Sequence, residues 1–179
     1  MKKLYFLILL IIPLLFFFGC EDKNIDAREK ASFKIKRAFV KKMKIKGLKA
    51  IGIGGAERNG KTTQIAVTFT SDQILDIPIA RQLAVESAEC LLQIICEQKA
   101  KDQIYFDPFP PSVNIVRLII IGKKPNNKST PYIRSVWVIE DRVTYTKDRH
   151  DPNDLSLIIA KEESYEEAKK IVEATKPAS

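Results

Sequence analysis

Gly55-Ala56-Glu57-Arg58-Asn59-Gly60-Lys61-Thr62-Thr63-Gln64-Ile65-Ala66-Val67-Thr68-Phe69-Thr70 admits two opposed folds. Its first eight residues match G-x-x-x-x-G-K-[ST], the loop whose backbone amides cradle phosphates while the lysine reaches the outer phosphates and the hydroxyl holds magnesium. Val136-Trp137-Val138-Ile139-Glu140-Asp141, an apolar run ending in acid, even imitates the second metal site of such a fold. A phosphate loop must open a helix, because the helix N-terminus supplies the positive field. Here the following residues have period two. Ile65, Val67 and Phe69 alternate with Gln64, Ala66, Thr68 and Thr70, the pattern of a half-buried strand. Asn59-Gly60 suits a tight hairpin turn. The stretch reads as two strands, from about Leu48 to Gly54 and from Thr63 to Thr70, with Glu57, Arg58 and Lys61 as surface charges at the tip. Nucleotide binding at Gly55–Thr62 is the lesser alternative.

Helices flank this hairpin on both sides. From Ala27 to Ile45 the sequence reads as a basic helix, with Ala31, Ile35, Ala38, Phe39 and Met43 on its apolar side and Gly47 as its stop. Ten lysines or arginines lie between Arg28 and Lys49, against the single acid Glu29. Downstream, Asp76 is placed to cap a helix that carries Pro78 in its first turn and runs to about Gln98. Ala80, Leu83, Ala84, Ser87, Ala88, Leu91, Ile94 and Ile95 form one face. Ile79, Val85 and Leu92 add apolar surface beyond it, so this helix is expected to be the central packing element.

The remainder supplies strands. Asp107 to Pro111 reads as a stiff extended connector with Tyr105, Phe106 and Phe109 pinning it to the core; the lesser alternative for these aromatics is a sticky recognition loop. Val113 to Ile121, apolar on both faces, reads as a central strand. A polar, basic loop over Gly122 to Pro131 leads to strands over Tyr132–Ile139, Arg142–Lys147 and Leu155–Ala160. Ser164 and Glu167 form a capping box for a terminal helix with Tyr165, Ala168, Ile171 and Val172 on its apolar face, ended by Pro177. The expected fold is α+β: a small sandwich of a mostly antiparallel sheet of about four to six strands, packed against a long central helix, with an N-terminal basic helix and a C-terminal helix.

The N-terminus speaks to address. Met1-Lys2-Lys3 precedes an apolar run from Leu4 to Phe18, interrupted only by Tyr5 and Pro13. Gly19-Cys20 and the polar Glu21-Asp22-Lys23-Asn24 follow. A positive start, a short apolar segment and a small residue at its exit make a secretory signal. Phe17-Phe18-Gly19-Cys20 resembles the lipobox of bacterial lipoproteins, with Phe17 and Phe18 standing where that family usually has Leu and a small residue. The resemblance covers about the first tenth of the chain. It implies cleavage between Gly19 and Cys20, acylation of Cys20 and attachment to membrane lipid in the cell envelope, facing the periplasm or the exterior. The other reading is an uncleaved anchor helix, but Leu4 to Cys20 would span only about 25 Å at ~1.5 Å per residue. A bilayer core of about 30 Å asks for more.

The expected organisation is a signal peptide over 1–19, a polar tether over 20–26 and one globular α+β domain over 27–179. Removing residues 1–19 leaves 160 of 179, and losing Lys2 and Lys3 lowers the formal charge from +8 to +6. Such a surplus suits an anionic surface or an acidic partner. The basic helix reads as a solvated face or as a surface lying on anionic headgroups, with Lys30, Lys34, Arg37 and Lys41 as candidate contacts. An envelope protein is the other expected partner, and nucleic acid is not expected.

The remaining motifs carry less. Cys90 and Cys96 lie six residues apart in one helix, about 9 Å along its axis, too far for a mutual disulfide. They read as two small buried apolar groups, with an intermolecular bridge as the other option. His150 in Asp148-Arg149-His150-Asp151-Pro152-Asn153-Asp154 reads as an exposed turn. The alternative is a small extracytoplasmic hydrolase using His150 and Asp151 as acid and base. No catalytic residue, metal site or cofactor is expected. The leading expectation is a membrane-anchored envelope lipoprotein with a non-enzymatic binding or scaffolding role.

Overall fold

The computed structural model describes residues 27–98, 100–103, 105–127, 131–149 and 156–175. The chain runs through helix α1 (Ala27–Ile45), strands β1 (Leu48–Arg58) and β2 (Lys61–Ser71), and helix α2 (Ile77–Cys96). Strands β3 (Val116–Ile121), β4 (Ser135–Ile139), β5 (Arg142–Asp148) and β6 (Leu157–Ser164) follow, then helix α3 (Tyr165–Thr175). The strands form one sheet in chain order. Four neighbouring pairs are antiparallel; β2 and β3 are parallel, with α2 in the connection between them. The fold is α+β, a six-stranded, mostly antiparallel sheet with helices, as the sequence pattern leads one to expect.

Side-chain parity decides which face is covered. Ile65, Val67 and Phe69 of β2 stand opposite Val116, Leu118 and Ile120 of β3; in turn Leu118 and Ile120 face Val138 and Val136, and these face Val143 and Tyr145. All are buried. The helices lie on this face: α1 packs on β1, β2 and α2, α2 on β3, β4 and β5, and α3 on α2, β5 and β6. Phe39 of α1 meets Phe69 of β2 edge-on, ring centroids 5.5 Å apart, a contact worth about 1 kcal/mol beyond burial. On the opposite face, Thr68, Ile119, Trp137 and Thr144 form a half-buried row. The Trp137 indole N–H donates to Ser135 Oγ at 2.8 Å.

The local signals act as expected. Asn59 and Gly60 sit at φ 52° and 75°, the paired positive values of a tight hairpin turn. Gly47 ends α1 at φ 79°, its N–H bonding the Lys44 carbonyl at 3.1 Å. Asp76 caps α2 by accepting from the Ile79 N–H at 2.8 Å. Ser164 and Glu167 exchange the two bonds of a capping box at 3.0 and 3.2 Å. Strand β3 is central, third of six.

Several expectations need correction. Ala38 is exposed, because the buried stripe of α1 runs through Ala31, Ser32, Ile35, Phe39 and Met43 instead. Arg81 joins the buried face of α2 and Ile79 does not. The strand expected from Val113 begins only at Val116, after a 3-10 turn over Val113–Ile115. The strand expected from Tyr132 begins at Ser135. Strand β6 extends through Lys161, Glu162 and Glu163 because those residues find partners on β5. Phe106 is buried and Tyr105 half-buried, but Phe109 is exposed. Cys96, at the end of α2, is exposed and Cys90 half-buried, so neither is the fully buried apolar group expected; both are free. Pro177 lies outside the described residues.

Replacing the α2 cap should cost little but measurably: Asp76→Ala is expected to lower the unfolding free energy by about 1 kcal/mol, read from urea denaturation.

Candidate functional surface

The basic helix provides the clearest surface. One apolar stripe of α1 is consumed by the core, and the charges occupy what remains. Lys30, Lys34, Arg37 and Lys41 are all exposed. Steps of four, three and four residues keep them on one side of a helix of 3.6 residues per turn, over about 16 Å at ~1.5 Å per residue. Lys44 continues the stripe, also exposed. Phe33 is 59% exposed beside it. The Arg37 guanidinium carbon lies 5.4 Å from its ring centroid, a cation–π contact that holds the aromatic at the surface. On the α2 side, Lys46 pairs with Glu86. The stripe was legible in the sequence; the exposed Phe33 was not, because an aromatic next to an apolar helix face looks like core.

The phosphate-loop motif has a different fate. Gly55–Arg58 belongs to β1 and Lys61–Thr62 to β2, joined by the two-residue turn. The motif thus runs into a strand and does not open a helix, whose N-terminus would supply the field that holds a phosphate. Lys61 is exposed. The Thr62 backbone is bracketed by the 105–107 segment: its N–H donates to the Tyr105 carbonyl at 2.7 Å and its carbonyl accepts from the Asp107 N–H at 3.1 Å. His150 and Asp151, like Gly19 and Cys20, lie outside the described residues.

Next to the His150 segment, Asp148 ends β5. Its carboxylate accepts from the Tyr132 hydroxyl and pairs with Lys124 at 3.0 Å and, more loosely, with Arg134 at 3.7 Å. Burial alone would raise the Asp148 carboxyl, but these donors and cations outweigh it and hold it below its ordinary value. The same burial and the same carboxylate push the Tyr132 phenol up to about 12.

Sequence reading missed a buried polar cluster between α2 and the β5–β6 edge. Arg81 grips Glu163 with both arms, Nε to Oε1 at 2.7 Å and Nη2 to Oε2 at 3.1 Å. The Tyr145 hydroxyl donates to Oε1, and Lys161 lies 2.6 Å from Oε2. Glu163's side chain is only 6% exposed. Burial would drive its carboxyl upward; the bonds from Arg81, Lys161 and Tyr145 reverse this and hold it at about 2. The phenol of Tyr145 is raised in turn, by burial first and by Glu163 second. Perturbed groups often mark active sites, but a carboxylate has only about four acceptor positions. Here four donor atoms occupy them, so the cluster is built as a clamp rather than as an acid or base. Arg81 in an otherwise apolar helix face was the one sequence signal for it.

Among the described residues no group of three or more His, Cys, Asp or Glu side chains is placed to hold a metal ion. Likewise, among the described residues, no helix is long and apolar enough to cross a membrane. Comparison with protein-family models, with curated proteins and with solved structures returns no match to this chain.

The clamp has measurable consequences. Arg81→Ala removes two of the four donors on the buried Glu163 carboxylate, leaving Lys161 and Tyr145, and is expected to lower the unfolding free energy by about 1–3 kcal/mol, read by urea denaturation. Because Glu163 is held at about 2 against an ordinary 4.5, its contribution is complete above about pH 4.5 and drains away as the pH falls toward 2. Glu163→Gln is expected to flatten the stability profile over that acid range. An unchanged profile would mean the carboxylate carries no such linkage.

Proposed function

We propose that this chain is a lipid-anchored protein of the cell envelope with a non-enzymatic binding or scaffolding role, tethered through acylated Cys20 and oriented on anionic headgroups by the outer stripe of α1. The observation that supports this reading is the placement of Lys30, Lys34, Arg37 and Lys41 on one exposed side of α1, a helix that starts seven residues after Cys20. A short spacer keeps that helix within a few tens of ångströms of the lipid surface, since an extended chain reaches at most ~3.6 Å per residue.

The physics gives each part a task. One acyl chain holds a protein marginally, and a second signal makes attachment durable. A cation close to an anionic leaflet contributes about 1 kcal/mol, and the effect fades within a Debye length of about 8 Å. Four such residues on one side therefore supply about 4 kcal/mol together and fix which side of the body faces the lipid. Phe33, exposed beside Arg37, adds an apolar contact at headgroup depth.

Two measurements test this. Cells expressing the full chain and fed radiolabelled fatty acid should incorporate label into the wild type and none into Cys20→Ser; equal labelling overturns the anchor. Protein lacking residues 1–20 should co-sediment with vesicles containing 30 mol% phosphatidylglycerol, but not with pure phosphatidylcholine. The combined Lys30→Glu, Lys34→Glu, Arg37→Glu and Lys41→Glu variant should bind the anionic vesicles at least tenfold more weakly. Equal binding by the variant overturns the headgroup contact while leaving the anchor standing.

A further inference from the structure

Strand β1 forms one edge of the sheet, and no described strand pairs with its outer side. An edge strand offers a row of outward N–H and C=O groups, which proteins normally blunt with charge, bulges or proline. Strand β1 is blunted only toward its ends. Lys49 and Arg58 flank it, and its register with β2 shifts between Ala50 and Gly52 and again between Ala56 and Glu57. Between these shifts Gly52-Ile53-Gly54-Gly55-Ala56 runs regularly, about 17 Å at ~3.4 Å per residue, with no charge and no proline. Every residue of that window is exposed.

Three of its five residues are glycine, and the fold requires only one of them. A Cβ on Gly55 would come 2.5 Å from the Gln64 carbonyl oxygen. On Gly52 it would meet Thr68 at 3.6 Å, and on Gly54 Ala66 at 3.9 Å, both ordinary contacts. Neither has the positive φ that would explain a glycine. Glycine within a strand is less stable than alanine, and it recurs where another backbone approaches closely.

The surroundings have a definite chemistry. Ile53 stands opposite the core residue Val67, yet is 52% exposed; Ile51, in the first register shift, is 57% exposed. From α1, Lys36 reaches over the strand, with Nζ 3.4 Å from where a Gly55 Cβ would sit. The edge is thus lined by apolar side chains and ringed by Lys36, Lys49, Arg58 and Lys61, with Glu57 the one acid among them.

We infer that the outer edge of β1 is a docking site for an extended, acidic segment of a partner protein, added as a further strand. In strand addition the backbone bonds supply affinity and the side-chain pockets supply selection. Ile51 and Ile53 select alternate apolar residues, and the surrounding cations select the acids between them. The same cations disfavour a second copy, since pairing β1 with β1 would bring two basic sets together. Lys36 and Arg37 are about 100° apart around the helix, so the edge and the outer stripe can be occupied at the same time. This specifies the partner left open in the binding reading and does not depend on the lipid anchor.

The test uses the full chain in detergent and a fluorescent seven-residue peptide alternating Val and Glu, followed by anisotropy at 0.1 M salt. Saturable binding is expected, at least tenfold weaker for the same peptide N-methylated at alternate residues and at least tenfold weaker with Lys in place of Glu. Ile53→Glu should weaken binding at least tenfold with an unchanged melting temperature, since Ile53 is exposed. Equal binding of the N-methylated or lysine peptide overturns strand addition or charge selection respectively. Self-association that Ile53→Glu abolishes would make the occupant a second copy, and phosphatidylglycerol vesicle binding that it abolishes would make the edge a lipid contact. Either result overturns the inference.

Discussion

Packing of α2 onto strands β3, β4 and β5 is the contact on which the remaining structure depends. The helix bridges β2 to β3 and lets those strands run parallel inside an otherwise antiparallel sheet. It also carries α1 on one flank and α3 on the other. The first half of its core face is made largely of small residues, Ala80, Ala84, Ser87 and Ala88, which allow a helix to approach a sheet closely. The branched residues Leu91, Ile94 and Ile95 then fill the end of the layer. A helix buried on several sides in this way gains stability from packing rather than from intrinsic propensity.

One charged residue sits within that layer. Arg81 is tolerated because Glu163 and Tyr145 come from the opposing strands with matched geometry, and breaking such a pair costs far more than the pair contributes. The pairing also fixes how far β6 must travel. Glu163 and Lys161 face the helices opposite Val143 and Tyr145, so the strand cannot slip by one residue without moving the carboxylate to the open face. Between α2 and α3, Glu89 of α2 accepts from Tyr165 at 2.8 Å and from Lys169 at 2.9 Å. Polar anchors of this kind set register where apolar packing alone is permissive.

The surfaces follow from what the core leaves over. Burial takes one stripe of α1 and leaves Lys30, Lys34, Arg37 and Lys41 on the outer side, where the proposed membrane contact lies. At the sheet's edge, β1 extends past the cover that α1 provides and keeps Ile51 and Ile53 at the surface. The two flanks are separate, so a body oriented on lipid by one would still present the other to a protein in the envelope.

Much of the fold was written locally. The alternation of Ile65, Val67 and Phe69, the Asn59-Gly60 turn, the Asp76 cap and the Ser164–Glu167 box each act over a few residues, where side-chain spacing and hydrogen-bond reach are set by the chain itself. For the same reason the phosphate-loop letters at Gly55–Thr62 were readable as a hairpin. Strand order, the parallel β2–β3 pair, the late start of β4, the length of β6 and the exposure of Phe33, Ala38 and Cys96 were not written there. They depend on which residues distant in sequence compete for the same buried space, as Arg81 and Glu163 do across 82 positions. The sequence by itself determined the elements and the basic stripe, because those are fixed by spacing along one helix or strand. Only the tertiary structure decided the clamp and the place of β1 at the edge of the described sheet, because a charge is matched or a strand set at an edge only by what the rest of the chain places beside it.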